Sequence, residues 1–333
     1  MENIKTIQLE NGRGMEVTIT NVGARIMRLC VGGKDVVLGY DRATDYLQEM
    51  HLSDYGAVIG RYANRLAGGL ITIEGHTIRL PQNNGPNCLH GGYRGWQYLL
   101  FDVVSSSHTH VEMRLTSLDG DNGFPGTVTA TVRYTLTDNA LRIDYRAETD
   151  SPTVINMTNH SYFNLDGVSC KECSRVYDHL LQIDADRYTP TDEVNIPLGD
   201  HREVSGTPFD FRTAKAIGRD IDGDDEQLRV GHGYDHNYVL NHPGLTTPAA
   251  VLTSPQSGIT LRLYTTAPGV QLYTGNFLDG AVGKYGAAYP RRSAVCLEAQ
   301  QYPDSPNRDW PESTGRLLPG EPFISTTIFE FQI

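Results

Sequence analysis

Five polar segments of the sequence end or interrupt strand-like runs, and each carries an ionisable residue beside glycine, asparagine or an aromatic residue. They are IGRYANRLAGG, NNGPNCLHGG, NMTNHSYFNL, GHGYDHNYVL and AVCLEAQQYPDSPN. In the same order, their ionisable residues of interest are Arg65, His90, His160, Asp235 and Glu298. Imidazoles and carboxylates are the usual groups for proton transfer near neutral pH. The amides and aromatic rings around them suit a polar, uncharged ligand with hydroxyls and an apolar face. Proton transfer on a sugar is the simplest chemistry that this set predicts.

Each of these residues also has an ordinary structural interpretation when it is taken alone. Arg65 fits a surface cation, and His90 fits a loop residue before a Gly-Gly turn. His160 fits a hydrogen-bonded core histidine, and Asp235 fits the cap of a turn. Only the recurrence of the same character in five segments favours a shared site.

Glu298 carries the strongest individual signal. It stands near the end of the apolar strand AVCLEAQ. Partial removal from water penalises a charged carboxylate and raises its pKa, which makes it a usable base near neutral pH. The alternative that the sequence leaves open is a structural ion pair with Arg291 or Arg292.

The sequence contains no complete motif for a bound cofactor or metal. Neither a Walker-type glycine loop nor a strand–GxGxxG–helix unit is present. The stretch DIDGDDEQLRVG starts like a calcium loop, but it has Asp225 where glycine is needed and Gly231 where glutamate is needed, so we expect a solvated acidic loop. The lone C-x-x-C of Cys170 and Cys173 favours free thiols. We therefore predict no cofactor and no metal.

The elements that must position these residues are predominantly β-strands. Period-2 alternation predicts strand pairs, listed here by sequence: GMEVTITNVGARIMRLCV, GLITIEGHTIRL, GTVTATVRYTLTDNALRIDYRAET and GITLRLYTTAPGVQLYTG, with a last strand in PFISTTIFEFQI. Helical signals are short and lie near residues 43–47 and 213–217. The prediction is all-β: residues 1–333 as one domain, a large antiparallel β-sandwich with a few short helices.

Composition limits the classes of partner and the cellular compartment that we expect for this chain. The formal net charge is −12, and no cluster of Lys and Arg is present, so neither nucleic acid nor an anionic membrane is an expected partner. No apolar run approaches the ~20 residues of a membrane helix. The opening MENIKTIQLENGRG is too polar for a secretory signal. Five cysteines, an odd number, suit the reduced thiols of a cytoplasmic protein.

Six motifs in order, spread over most of the chain, resemble the galactose mutarotase (aldose 1-epimerase) family: GRYANR, NGPNCLHGG, TNHSYFNL, GYDHNYVL, GVQLYTGNFLDG and CLEAQQYPDSPN. The resemblance implies a single-domain β-sandwich that interconverts the anomers of free aldohexoses without a cofactor. It implies Glu298 as the base, His160 as the acid and His90 as a second histidine near the ring oxygen. It further implies that sugar hydroxyls are held by Arg65, Asp235, Asn64 and Gln271. Gln300-Gln301-Tyr302 differs from many members, so the preferred hexose is not specified, nor is the choice between monomer and homodimer.

If His160 is the acid, its neighbours in the sequence have expected functions as well. Thr158, Asn159 and Asn164 are candidates for holding the imidazole, and Tyr162 and Phe163 are candidates for the pocket wall. The sequence leaves three other functions as alternatives. A hexose-6-phosphate epimerase would need cations near C6, a non-catalytic sugar-binding protein would lack Glu298 or His160, and a glycoside hydrolase would use two carboxylates such as Asp235 and Glu298.

Overall fold

The computed structural model describes residues 3–47, 53–168 and 171–333. Within these ranges the chain forms 26 strands, which we number in chain order. Their bounds are β1 Thr6–Glu10, β2 Met15–Thr20, β3 Arg25–Val31, β4 Lys34–Asp35, β5 Val58–Ile59, β6 Arg65–Leu66, β7 Leu70–Ile73, β8 His76–Arg79, β9 Cys88–Leu89, β10 Asp102–Ser106, β11 His110–Ser117, β12 Val128–Leu136, β13 Ala140–Thr149, β14 Thr153–Val154, β15 Thr158–Asn159, β16 Leu180–Ile183, β17 Arg187–Thr189, β18 Arg202–Glu203, β19 Lys215–Ala216, β20 Asp235–Val239, β21 Ala250–Thr253, β22 Thr260–Thr265, β23 Gly269–Tyr273, β24 Cys296–Gln300, β25 Arg316–Leu317 and β26 Phe323–Gln332. The predicted all-β class is confirmed.

Helices are few and short in the described ranges. The α-helix α1 covers Glu226–Val230. Single 3-10 turns cover Ala43–Tyr46, Ala67–Gly69, Trp96–Tyr98, Asp121–Gly123, Val176–Asp178, Ile217–Arg219, Lys284–Gly286 and Ser305–Asn307. No helix within these ranges is long and apolar enough to cross a membrane.

The largest sheet is antiparallel and has nine strands, in the order β10-β11-β12-β13-β26-β22-β21-β16-β19. Its alternation matches the sequence pattern: in β12 the residues from Val128 to Leu136 are buried at every second position. Asn139 and its neighbours turn the chain into β13, and β26 then pairs with both β13 and β22. One face of this sheet is therefore committed to the core.

A second sheet of five strands, ordered β18-β17-β20-β23-β24, lies across the core from the first. One buried apolar cluster joins them, because it contains Ile143 and Phe329 of the large sheet with Tyr238, Leu272 and Leu297 of the small one. The N-terminal sheet β1-β2-β3-β4 contributes to the same cluster. This arrangement confirms the antiparallel sandwich.

One predicted strand pair is wrong. The segment GITLRLYTTAPGVQLYTG does form two strands, β22 and β23, but they belong to different sheets. Thr266 donates its backbone N–H to Thr326 of the large sheet, and Pro268 accepts one from Leu240 beside the small sheet. Local alternation predicts a strand but does not encode its partner, because a crossover and a hairpin share the same period-2 pattern.

Two helical expectations are corrected as well. Residues 213–217 give the strand β19 and the start of a 3-10 turn, whereas residues 43–47 do include a 3-10 turn. The expected acidic loop contains α1, whose first turn is capped by the Asp225 carboxylate, which accepts N–H bonds from Gln227 (2.8 Å) and Leu228 (3.3 Å). Capping by aspartate is a common start for a helix. Of the cysteine pair, Cys170 lies outside the described residues.

Candidate active site

Three neighbouring strands of the five-stranded sheet present polar side chains on one face. The register places Asn237 opposite Gln271 and Gln271 opposite Glu298. Asp235 and Tyr273 form the next row on the same face, because side chains two residues apart point the same way. The other face of these strands carries Val270, Leu272, Tyr238, Leu297 and Ala299 into the core. Alternating polar and apolar residues thus create a rigid polar floor over an apolar core.

Glu298 lies on this floor with almost no contact with water. The residue is 2% exposed, and its Oε2 has no hydrogen-bond partner among the described residues. The alternative of an ion pair with Arg291 or Arg292 is wrong. Arg292 bonds the Asp222 carboxylate at 2.7 Å, and Arg291 donates to the carbonyl of His232. The buried carboxylate is left free for a ligand.

His160 faces Glu298 across the pocket. The distance between His160 Nε2 and Glu298 Oε1 is 3.6 Å. The imidazole stacks on the Tyr162 ring, with centroids 4.9 Å apart and an interplanar angle of 14°. The backbone of His160 is fixed from both sides, since its N–H donates to Ala57 and its carbonyl accepts from Gly56. Packing and backbone bonds therefore set the ring position.

The residues expected to hold this imidazole do not contact it through hydrogen bonds. The Asn159 amide donates to the Gly56 carbonyl, and its oxygen accepts from Ser161. Asn164 donates to the carbonyls of Ser174 and Ser293. Thr158 Oγ1 and His160 Nδ1 are both buried, and neither has a hydrogen-bond partner in the part of the chain that the structure describes. These residues fix the loop backbone that carries His160, while the ring itself stacks on Tyr162. Their part in holding the imidazole stays a prediction.

His90 lies beside His160, with ring centroids 5.3 Å apart in an edge arrangement. The backbone N–H of Asn64 donates to His90 Nδ1 at 3.1 Å. A neutral ring that accepts at Nδ1 carries its proton on Nε2, so His90 is a hydrogen-bond donor on its other side. The following Gly91, with φ of 80°, sits against Gly60, where an added Cβ would come within 2.2 Å of the Gly60 carbonyl oxygen. This close approach locks the His90 loop to the neighbouring segment.

The predicted hydroxyl-binding residues form a connected set. Gln271 Nε2 donates to Asp235 Oδ1 at 2.7 Å. Arg65 Nε donates to Asn84 Oδ1 at 3.0 Å, which fixes the guanidinium orientation. Asn64, with φ of 64°, accepts the Arg65 N–H through its side-chain oxygen. Each side chain is thus oriented before a ligand arrives.

A cavity of about 150 Å³ collects these groups. All seven predicted site residues line it: Glu298, His160, His90, Arg65, Asp235, Asn64 and Gln271. Asp54, Leu89, Tyr162, Tyr273 and Phe277 complete the lining. Tyr162 was an expected wall residue, but Phe163 packs on Phe329 in the core instead. Gln300, Gln301 and Tyr302, where the sequence departs from many family members, are outside the lining.

Four lining residues were missed from the sequence: Asp54, Leu89, Tyr273 and Phe277. Tyr273 carried a usable signal, because it follows Gln271 by two positions and so shares its face. Phe277 stacks on Tyr273 with a centroid distance of 6.3 Å. Asp54 lies in an irregular loop, where no periodicity indicates which way a side chain points.

Burial moves the pKa values of the two central groups in opposite directions. The pKa of Glu298 is raised well above its ordinary value, first by desolvation and then by the charges of Asp235 and Asp54. The pKa of His160 is lowered by desolvation, against the charges of Asp54 and Asp235, which raise it. The pKa of His90 is lowered well below its ordinary value by burial and by its neighbours His160 and Arg65. His90 is therefore neutral, and Glu298 and His160 are close enough to share one proton.

The geometry does not favour a metal at this place. Ligand-type atoms of Asp54, His90 and His160 do lie within 4.8 Å of one another. His90 Nδ1, however, already accepts a backbone N–H, and its Nε2 carries the proton of the neutral ring. Neither nitrogen has a lone pair free for a cation, so the trio fits a hydrogen-bonding, uncharged ligand better than an ion.

The chain is similar to known proteins along nearly its whole length. The family model described as aldose 1-epimerase matches residues 5–330. A galactose mutarotase from Bos taurus is 41% identical over 99% of this chain and 94% of its own length. An aldose 1-epimerase from Escherichia coli (strain K12) is 41% identical over 98% of this chain and 95% of its own length.

A solved structure gives the same result for the fold. The crystal structure of an aldose epimerase homologue from C. elegans superposes with a TM-score of 0.89 at 31% identity and covers 99% of both chains. With the family model spanning nearly the whole sequence, this chain belongs to the aldose 1-epimerase family, a family of isomerases.

Proposed function

We propose that this protein interconverts the α and β anomers of free hexoses, such as D-galactose and D-glucose, by opening and reclosing the sugar ring. The observation that carries the proposal is the buried contact between Glu298 Oε1 and His160 Nε2 at 3.6 Å, inside a cavity lined by hydroxyl-binding groups. Ring opening needs a base at the anomeric hydroxyl and an acid at the ring oxygen. This pair offers both within the reach of one sugar ring.

In the reactive state Glu298 is ionised and His160 is protonated. Glu298 removes the proton of the C1 hydroxyl while His160 protonates the ring oxygen, and the C1–O5 bond breaks to give the aldehyde. Rotation about the C1–C2 bond exposes the other carbonyl face. Closure then runs the two proton transfers backwards, so the roles of acid and base exchange.

Burial helps the opening step electrostatically. Opening converts a buried carboxylate and imidazolium into a neutral acid and a neutral imidazole. The desolvation that raises the pKa of Glu298 and lowers that of His160 favours this neutral pair. The open-chain complex is therefore stabilised relative to the ion-paired complex, which lowers the barrier.

His90 assists at the ring oxygen, and the remaining groups fix the orientation of the bound sugar. Its Nε2–H is directed away from Asn64 and can donate to the ring oxygen. Arg65, Asp235 and Gln271, with Asn64 behind them, bind hydroxyls on the far edge of the sugar, and the Tyr273 ring supplies an apolar wall. No metal or cofactor is part of this proposal.

The rival functions have weaker support. Glu298 and His160 are both present and both line the cavity, which a protein that only binds sugar would not require. The group beside Glu298 is His160 and not a second carboxylate, and Asp235 is already bonded to Gln271, which disfavours a two-carboxylate glycoside hydrolase. A hexose-6-phosphate epimerase would need cations near C6, but the described lining of the adjoining cavity, which shares Asp54 and Phe277 with the site, contains no Lys, Arg or His.

We also propose that residues 1–333 act as one domain in the cytoplasm, either as a monomer or as a homodimer. Support for one domain is the core cluster that runs from Leu9 to Phe331. Support for a reducing compartment is that Cys30, Cys88 and Cys296 are buried free thiols.

The test is the approach to anomeric equilibrium of freshly dissolved α-D-galactose and α-D-glucose, followed by polarimetry. The protein should raise the rate in proportion to its concentration, with heat-inactivated protein as the control. A rate that stays at the spontaneous value for both sugars would contradict the proposed function.

A further inference from the structure

The two ends of the active-site cavity differ in character. At one end Asn64, Arg65, Asp235 and Gln271 continue into a narrow polar cleft between the strands. At the other end the cavity adjoins a second, larger cavity of about 360 Å³. Asp54, Tyr162, Tyr273 and Phe277 line both cavities. Asp54 is therefore at the end opposite the hydroxyl-binding set.

The Asp54 carboxylate is placed by its backbone. Its carbonyl accepts the Ala57 N–H at 3.0 Å. The fully buried Arg25 donates to the carbonyls on both sides, Ser53 at 3.1 Å and Tyr55 at 2.8 Å. Asp54 Oδ1 is itself buried and has no hydrogen-bond partner among the described residues. A buried acceptor without a partner is costly, so a ligand that donates to it would be bound strongly.

The neighbours of this carboxylate define which part of a sugar it meets. One carboxylate oxygen lies within 4.8 Å of ring nitrogens of both His90 and His160. In the proposed function, on which this inference rests, those histidines face the ring oxygen. The ring oxygen is bonded to C1 and C5 only. Since Glu298 takes the C1 hydroxyl, the remaining hydroxyl near the ring oxygen is the one on C6, carried by C5.

We propose that Asp54 accepts a hydrogen bond from the C6 hydroxyl of the hexose and that it makes the site specific for sugars with an unphosphorylated C6. The second cavity, into which a C6 substituent would point, contains Asp54 and Asp279, and its described lining has no Lys, Arg or His. A 6-phosphate would bring its negative charge beside these carboxylates without a compensating cation. Repulsion between like charges in a partly buried site then excludes phosphorylated hexoses.

The decisive comparison uses D-galactose and 6-deoxy-D-galactose, which differ only in the C6 hydroxyl. Asp54→Ala should lower kcat/KM for D-galactose by about 10-fold or more, because a hydrogen bond to a charged group is lost. Both sugars are compared at the pH optimum of each protein, because the Asp54 charge also raises the pKa of Glu298 and that of His160. Under those conditions the value for 6-deoxy-D-galactose should change by less than about twofold. Asp309→Ala is the matched control: it removes an exposed carboxylate that lines neither cavity, and it should leave the ratio between the two sugars unchanged.

The outcomes are distinguishable. Equal losses for both sugars would show that Asp54 acts on the histidines or on the loop, and this would overturn the inference while the proposed function stands. No loss for either sugar would overturn it too. A wild-type protein that accelerates neither sugar would contradict the proposed function itself.

A second measurement tests the exclusion of phosphate. Galactose 6-phosphate is added as a competitor to the 6-deoxy-D-galactose assay. Wild type should be inhibited weakly, and in Asp54→Asn, which keeps the size but removes the charge, the inhibition constant should fall by about 10-fold. An inhibition constant that is the same in both proteins would overturn the exclusion by charge.

Discussion

At the scale of single residues, the useful property of Glu298 and His160 is that one environment acts on them in opposite ways. Burial penalises the charged form of each, so the pKa of the carboxyl rises and that of the imidazole falls. Groups whose pKa values move toward each other can pass a proton in either direction. A reaction that must run forwards and backwards at one site needs this symmetry.

The pH dependence of kcat/KM should therefore be bell-shaped. The base form of Glu298 is lost as pH falls through its raised pKa, and the acid form of His160 is lost as pH rises through its lowered pKa. Because the two groups exchange a proton, the apparent pKa values of the two limbs belong to the pair and not to either residue alone. The charge of Asp235 raises the pKa of both groups, so Asp235→Asn should shift both limbs to lower pH. Limbs that stay in place, or shift to higher pH, would contradict this electrostatic account.

At the scale of elements, the site depends on which backbone carries each group. Glu298 was predictable from the residues, because it stands near the end of an apolar strand. Gln271 was implied only by the family resemblance, although alternation in its strand also exposes one polar face. His90 and His160 were predictable only through the motifs around them, since both lie at strand ends. Asp54 was not predictable, because its direction is set by Arg25, a contact between residues distant in sequence. Local patterns thus predict strand-borne groups and miss groups positioned by tertiary contacts.

The helix α1 gives a test of a local element. Its cap residue Asp225 accepts two backbone N–H groups, and Gln227 in the same helix bonds both the N–H and the carbonyl of Thr191. Asp225→Ala should lower the free energy of unfolding by about 1 kcal/mol, because those two donors lose their acceptor. Urea unfolding measures this, with the exposed Glu226→Ala as control. Equal stabilities for both variants would contradict the capping role.

At the scale of the whole molecule, the sandwich keeps the site rigid. Strands of two large sheets share one apolar core, and the polar floor lies on the outer face of the smaller sheet. The class, the single antiparallel architecture and most hairpins followed from alternation in the sequence. The pairing of β22 and β23 did not, because sheet membership is decided by packing between distant strands. The same limit applies to any crossover between sheets.

Buried histidines should make the whole fold sensitive to acid. His236 is fully buried, and desolvation lowers its pKa to about 3 from 6.5. Its folded-state pKa is depressed, so the unfolded chain binds a proton first and stability is lost as pH falls from 6.5 toward 3. At about pH 4.5 the loss from this residue is about 3 kcal/mol.

Urea unfolding between about pH 7 and pH 4.5 measures this loss. His236→Gln cannot take up that proton, so its stability should depend less steeply on pH, by about 1.4 kcal/mol per pH unit at most. An identical slope in the variant and the wild type would show that His236 does not contribute to acid unfolding.

The central claim, that the Glu298–His160 pair carries out the proton exchange, is tested most directly by the anomerisation rate of Glu298→Gln. The substitution keeps the size of the side chain and removes the base. Glu312→Gln makes the same change at an exposed position and is the control. With unchanged circular dichroism, Glu298→Gln should lose a factor of about 10² or more in kcat for fresh α-D-galactose, while the control keeps the wild-type rate. A Glu298→Gln rate within about twofold of wild type would contradict the account.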